Sequence, residues 1–199
     1  MRISSLLLLL LWSLPALAFD LEALQARLAA TPDIAGRFEQ TRYLADLDTE
    51  LVSRGHFRYE RDARVVWTLE TPVDKRLVFT PQDAASLDGT ADSGANDNDD
   101  RRRQQAAELL LSLLDGDWRA LEQRFKITLA GDAEAWRVEL VPRQQAIRER
   151  LKSIHLAGGR YLETLRLQAA NDDTLDVAFS DQRPLDAGET TSAESADGE

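Results

Sequence analysis

The side chains able to exchange protons near neutral pH are two histidines, His56 and His155. Each sits in a strand-like run, Gly55-His56-Phe57-Arg58-Tyr59 and Ile154-His155-Leu156, on the opposite parity from its large apolar neighbours. Both are therefore expected to face water rather than a reacting group. Nucleophilic chemistry has as little footing. The 199 residues include no cysteine and no serine in a G-x-S-x-G turn. A phosphate-binding loop is missing as well. Oxygen ligands crowd the stretch Asp92-Ser93-Gly94-Ala95-Asn96-Asp97-Asn98-Asp99-Asp100, but without calcium-loop spacing or its closing glutamate. That stretch reads as a solvated loop capping the next helix. Arg101-Arg102-Arg103 stands at the helix start, the unfavourable end of the helix dipole for a cation. It is either neutralised by Asp97, Asp99 and Asp100 or a docking patch for an acidic partner or lipid headgroup. The pattern predicts no enzyme, no metal centre and no cofactor.

What remains is binding, and the chain's compartment narrows it. Arg2 precedes an apolar run, Leu6 to Trp12, which Pro15 and Ala16-Leu17-Ala18 follow. This predicts a secretory signal peptide over residues 1–18, cleaved before Phe19. The run is far shorter than the ~20 residues a spanning helix needs. No cysteine follows the cleavage site to accept a lipid. The expected product is a periplasmic monomer without disulfides, a single domain over residues 19–182. The formal net charge of −11 grows by one when Arg2 leaves. Such a chain is repelled by nucleic acid and anionic membranes. Residues 83–100 read as a flexible acidic loop, with Leu87 their one large apolar residue. Residues 183–199 read as a disordered acidic tail.

Residues 20–30 predict a helix with Asp20 as cap and Leu21, Leu24 and Leu28 as its stripe. From Gly36 the period becomes two. Strands are predicted around Phe38–Arg42, Gly55–Tyr59, Val65–Leu69 and Arg76–Phe79. A second helix is expected over 101–115, with Ala106, Leu109, Leu110, Leu113 and Leu114 on one face. A short turn through Trp118 and Leu121 leads to five more strands, around Phe125–Leu129, Trp136–Leu140, Ile154–Leu156, Leu165–Leu167 and Leu175–Phe179. The order predicts a mainly β fold, an unclosed antiparallel barrel or curved sheet. The two amphipathic helices must bury their stripes, and the concave mouth of that sheet is the apolar surface available to them.

The inward parity of these strands carries Phe38, Phe57, Tyr59, Trp67, Leu69, Phe79, Trp136, Val138 and Leu140. Together with Leu109, Leu110 and Leu113 they are candidate cavity-lining residues, each also able to serve as plain core. Arg61 shares the parity of Phe57 and Tyr59. It lies either at a solvated strand end or at the cavity mouth.

One ordered set of residues resembles a known family. Phe38-x-Gln40 is followed by Gly55 opening an aromatic strand and by Arg61 at its end. Trp67 and Pro72 follow at six- and five-residue steps, then a leucine-rich helix, Leu140-Val141-Pro142 and a closing strand through Phe179. The set resembles the LolA-like periplasmic carriers of outer-membrane lipoproteins. The resemblance implies an unclosed barrel with helices as a lid, and a lid-latching arginine at Arg61. It also implies an inner-membrane release complex and an outer-membrane acceptor as partners. Three features depart from the pattern: Asp62 where proline is common, an acidic loop after Phe79 in place of a glycine turn and hairpin, and the acidic tail.

The expected function is a periplasmic carrier that shields acyl chains of lipoproteins or a related lipid during transfer towards the outer membrane. A sensor of lipids or lipoproteins with the same fold is the alternative. A secreted carboxylate hydrolase is a third reading, without a motif behind it.

Overall fold

A computed structural model describes residues 19–80 and 118–185. Helix α1 (Leu21–Ala29) opens the described chain, and Asp20 caps it, its Oδ1 accepting from the Ala23 N–H at 2.9 Å. Four strands follow: β1 (Ile34–Leu44), β2 (Thr49–Glu60), β3 (Arg64–Thr71) and β4 (Lys75–Phe79). Beyond residue 117 come α2 (Arg119–Arg124), β5 (Phe125–Ala130), β6 (Trp136–Pro142), the single turn α3 (Gln145–Arg148), β7 (Leu151–Gly158), β8 (Leu162–Ala169) and β9 (Thr174–Pro184).

All nine strands form one antiparallel sheet in the order β4-β3-β2-β1-β9-β8-β7-β6-β5. Two meanders, β1–β4 and β5–β9, are joined where β9 pairs with β1. The edges β4 and β5 lie at opposite ends of this order, so the sheet is a curved, unclosed barrel, as expected. Alternation sets its faces. In β6 the residues Trp136, Val138 and Leu140 are buried and Arg137 and Glu139 exposed. Leu24 and Leu28 of α1 join the same core cluster as the inward residues of both meanders.

Three differences from the sequence reading stand out, and the Asp62 departure finds its place in a turn. The expected polar connection after Arg42 is instead a long hairpin, with β1 running to Leu44 and β2 starting at Thr49. Val52 and Thr41 pair directly across it, β-branched residues that suit a pleated surface. The turn α3 was not expected. The domain boundary at Gln182 falls too early: Arg183 and Pro184 pair with Ala35 and Ile34, and the Leu185 N–H donates to the Asp33 carbonyl at 2.8 Å. Asp62 has φ 57°, a conformation proline cannot adopt, so the β2–β3 turn is not one a proline here could make. The second helix, 101–115, with Leu109, Leu110 and Leu113, lies outside the described residues, as do the loop 83–100 and residues 186–199.

Candidate functional site

The α1 helix ends at Ala29, and its trailing carbonyls need donors. Arg61 adds donors from across the fold, at the Leu28 carbonyl, which also accepts from the Thr31 N–H, and at the Thr31 carbonyl just past the helix. Its Nε donates to the Thr31 carbonyl at 3.0 Å and its Nη2 to the Leu28 carbonyl at 3.0 Å, with a further short bond from Nη2 to Thr31. The Arg61 backbone N–H donates to Asp33 Oδ1 at 2.8 Å. A guanidinium suits this task, because it stays charged and carries a fixed fork of donors. The carbonyls it meets sit at the negative end of the helix dipole.

The turn around Arg61 is built to free that guanidinium. The Ala63 N–H donates to the Glu60 carbonyl at 3.1 Å, closing the turn, and Asp62 takes the left-handed position that aspartate tolerates. The buried Glu60 carboxylate is already held by Arg64, through Nε at 2.9 Å and Nη2 at 3.3 Å. It therefore does not compete for Arg61. Asp33 gathers three segments at one corner: the α1–β1 link, the Arg61 turn and, through its carbonyl, the end of β9.

An apolar pocket lies among the inward side chains near this corner. Ile34, Phe57, Val65, Trp67, Leu162, Phe179 and Gln182 line about 280 Å³ of empty space, its open mouth included. Its aromatic wall is offset and edge-on rather than stacked flat. The Phe57 and Phe179 rings meet at 77° with centroids 5.3 Å apart, and Trp67 meets Phe179 at 89° and 5.9 Å.

Of the candidate lining residues, Phe57 and Trp67 face this pocket. Phe38, Tyr59, Trp136, Val138 and Leu140 are buried in the surrounding core cluster, and Leu69 and Phe79 pack against it half-buried. Phe38 stacks behind Trp67, with ring centroids 3.9 Å apart. Trp136 is held by its Nε1 donating to the Gly159 carbonyl at 2.8 Å. Ile34, Val65, Leu162 and Phe179 lie outside the candidates read from sequence; Val65 shares the parity of Trp67 in β3, and Phe179 that of Val177 in β9. Gln182 carried no signal of this kind.

The histidines stand elsewhere, on the solvent side. His56 Nδ1 lies 3.0 Å from Glu70 Oε1, and Arg37 Nη2 donates to Glu70 Oε2 at 3.0 Å. His56 chiefly, with help from Arg37, holds the Glu70 carboxyl below its ordinary range. The cluster ties β1, β2 and β3 across their outer face. His155 Nε2 lies 3.0 Å from Ser153 Oγ. Among the described residues, no three His, Cys, Asp or Glu side chains are grouped to hold a metal ion.

The profile of the family described as outer membrane lipoprotein carrier protein LolA matches residues 30–189. No curated protein matches the chain. Among solved structures, the chain is similar to a LolA superfamily protein from Nitrosomonas europaea at 8% identity and TM-score 0.42, covering 85% of this chain and 95% of that one. It is similar to a putative outer membrane lipoprotein-sorting protein domain from Vibrio parahaemolyticus at 10% identity and TM-score 0.39, covering 87% and 96%. A DUF1329 family protein from Desulfovibrio piger aligns at 11% identity and TM-score 0.39, covering 85% and 92%. The matched span holds the whole sheet, the Arg61 turn and every wall of the pocket, and over that span the chain belongs to the LolA family of outer membrane lipoprotein carriers.

Proposed function

We propose that this chain is a periplasmic carrier that shields the acyl chains of lipoproteins, or of a related lipid, on the way to the outer membrane. The physical need is large. At ~0.8 kcal/mol per buried CH₂, a long acyl chain costs on the order of 10 kcal/mol to hold in water. A soluble carrier needs an apolar cavity, a movable cover and no bond chemistry.

The observation that carries this reading is the pairing of an apolar pocket with a helix tied down by one arginine. The pocket is nearly filled: its room for water-sized groups, about 10 Å³, is that of roughly one water molecule and far below the ~300–1,000 Å³ common for ligand sites. Loading a long chain must therefore widen it. Arg61 is the proposed latch. Its bonds to Leu28 and Thr31 are charge-assisted and worth about 1–3 kcal/mol, small against the transfer energy of an acyl chain. Cargo can displace such a latch, and its re-formation favours release. A donor complex and an acceptor at the two membranes complete the proposed route.

Delipidated protein should bind a fluorescent fatty acid, and protein taken from the periplasm should carry acyl lipids detectable by mass spectrometry. Absence of both would sink the carrier reading. Arg61→Leu should keep cargo longer than the parent protein, and equal release rates would remove the latch from the mechanism.

A further inference from the structure

The pocket wall has one polar member, Gln182. How a glutamine comes to face aromatic rings follows from the register of β9. Phe179 opposes Phe38 and Ser180 opposes Arg37, yet Arg183 opposes Ala35. Three steps along β9 thus match two along β1, and one residue is extra. Asp181 has φ 52°, the left-handed conformation that aspartate accepts more readily than most side chains.

With regular pairing, Asp181 would oppose Gly36 and take the inward parity of Val177 and Phe179. The bulge turns Asp181 aside and gives that place to Gln182. The place is tight. A Cβ on Gly36 would stand 2.8 Å from the Phe57 ring and 2.9 Å from the Ser180 carbonyl. A carboxylate here would lose its water against aromatic rings, whereas a neutral amide loses far less. A bulge beside a cavity re-aims a side chain at that spot.

Gln182 Nε2 donates to the Leu162 carbonyl at 2.7 Å, across to the start of β8. That bond fixes the amide and leaves its oxygen to accept and its second N–H to donate. A hydrocarbon tail can use neither. We propose that Gln182 reads the head of the bound chain by accepting a hydrogen bond from an N–H or O–H beside it. The pocket then prefers amide-linked or hydroxyl-bearing chains over simple esters, an inference that rests on the carrier reading above. Amides and esters share a carbonyl, so comparing them isolates the donor. One such bond in a partly shielded site discriminates by about 5–10-fold.

The test is displacement of a fluorescent fatty acid from the delipidated protein by N-methylpalmitamide, 1-hexadecanol and methyl palmitate. The amide and the alcohol should displace it at about 5–10-fold lower concentration than the ester. Preference for the amide alone, or the alcohol alone, assigns the donor to that group. Gln182→Leu should bring the three ligands to within about twofold of one another. Gln182→Met serves the same purpose if the leucine variant folds poorly. In the parent protein, the Gln182 side-chain amide resonance should shift with N-methylpalmitamide and not with methyl palmitate. Equal displacement by all three ligands, or a preference that survives both substitutions, overturns the Gln182 assignment and leaves the carrier reading standing. Failure to bind any of the chains overturns both.

Discussion

Removing the Arg61 guanidinium takes away the side-chain donors to the Leu28 carbonyl of α1 and to the Thr31 carbonyl just past it. Arg61→Leu should therefore speed amide exchange in α1 by about 5–150-fold, the opening factor expected for a loss of roughly 1–3 kcal/mol. Amides of the β1–β9 ladder should exchange as before, and unchanged exchange in α1 would mean the bonds hold nothing. Gly55 answers to a different constraint. A Cβ there would lie 1.9 Å from the Thr68 carbonyl and 3.0 Å from the Phe38 ring. Gly55→Ala should lower stability by about 1–3 kcal/mol, read from the denaturant midpoint. Arg61 could be singled out from sequence only through the ordered set of residues that resembles the family. Parity alone left it between solvent and cavity mouth. Gln182 could not be singled out, since alternation counted from Phe179 sends it outward and only the extra residue at Asp181 sends it in.

Elements were more legible than contacts. Runs rich in β-branched and aromatic residues marked all nine strands, and alternation of buried and exposed positions is clean in β5 and β6. Asp20 and the Leu24 and Leu28 stripe likewise marked α1. Strand ends were harder, since the β1–β2 hairpin extends into polar sequence where backbone pairing, not burial, maintains the strands. The end of β9 makes a testable case. A chain stopping after Leu185 keeps the bond to Asp33 and the pairing of Arg183 and Pro184. A chain stopping after Gln182 loses both, and its thermal midpoint should fall several degrees below that of the longer chain. Equal midpoints would show that the β9 end adds nothing. On the outer face, His56 and Arg37 hold Glu70 ionised below the usual carboxylate range. The folded pKa is depressed, so its small contribution is present above the ordinary glutamate range and fades as pH falls through the folded value. In His56→Ala the Glu70 carboxyl should titrate at higher pH, measured by carbon-detected resonance. An unmoved titration would remove His56 as its cause.

At the scale of the whole molecule, the fold class followed from counting elements: helix, four strands, helix, five strands. What counting could not supply is the seam. β9, last of the strands in chain order, lies in the middle of the sheet, between β1 and β8. Pairs such as Phe38 with Phe179 and Arg42 with Leu175 bring together residues far apart along the chain. Contacts of that separation make folding slow, on the scale of milliseconds to seconds. They also impose an order in time. While the chain is still being made, β1 and β8 each present an open strand edge, and neither meander can complete its half of the core. A chain arrested after Ala169 should remain sensitive to protease where the chain complete through Leu185 resists it. Resistance in the shorter chain would show that the meanders stand alone. The position of β9 thus works as a delay: synthesis of the final strand, rather than of the first domain-sized length, starts the clock for folding, and a polypeptide with that property can be threaded through a membrane pore before it acquires a shape that would block the passage.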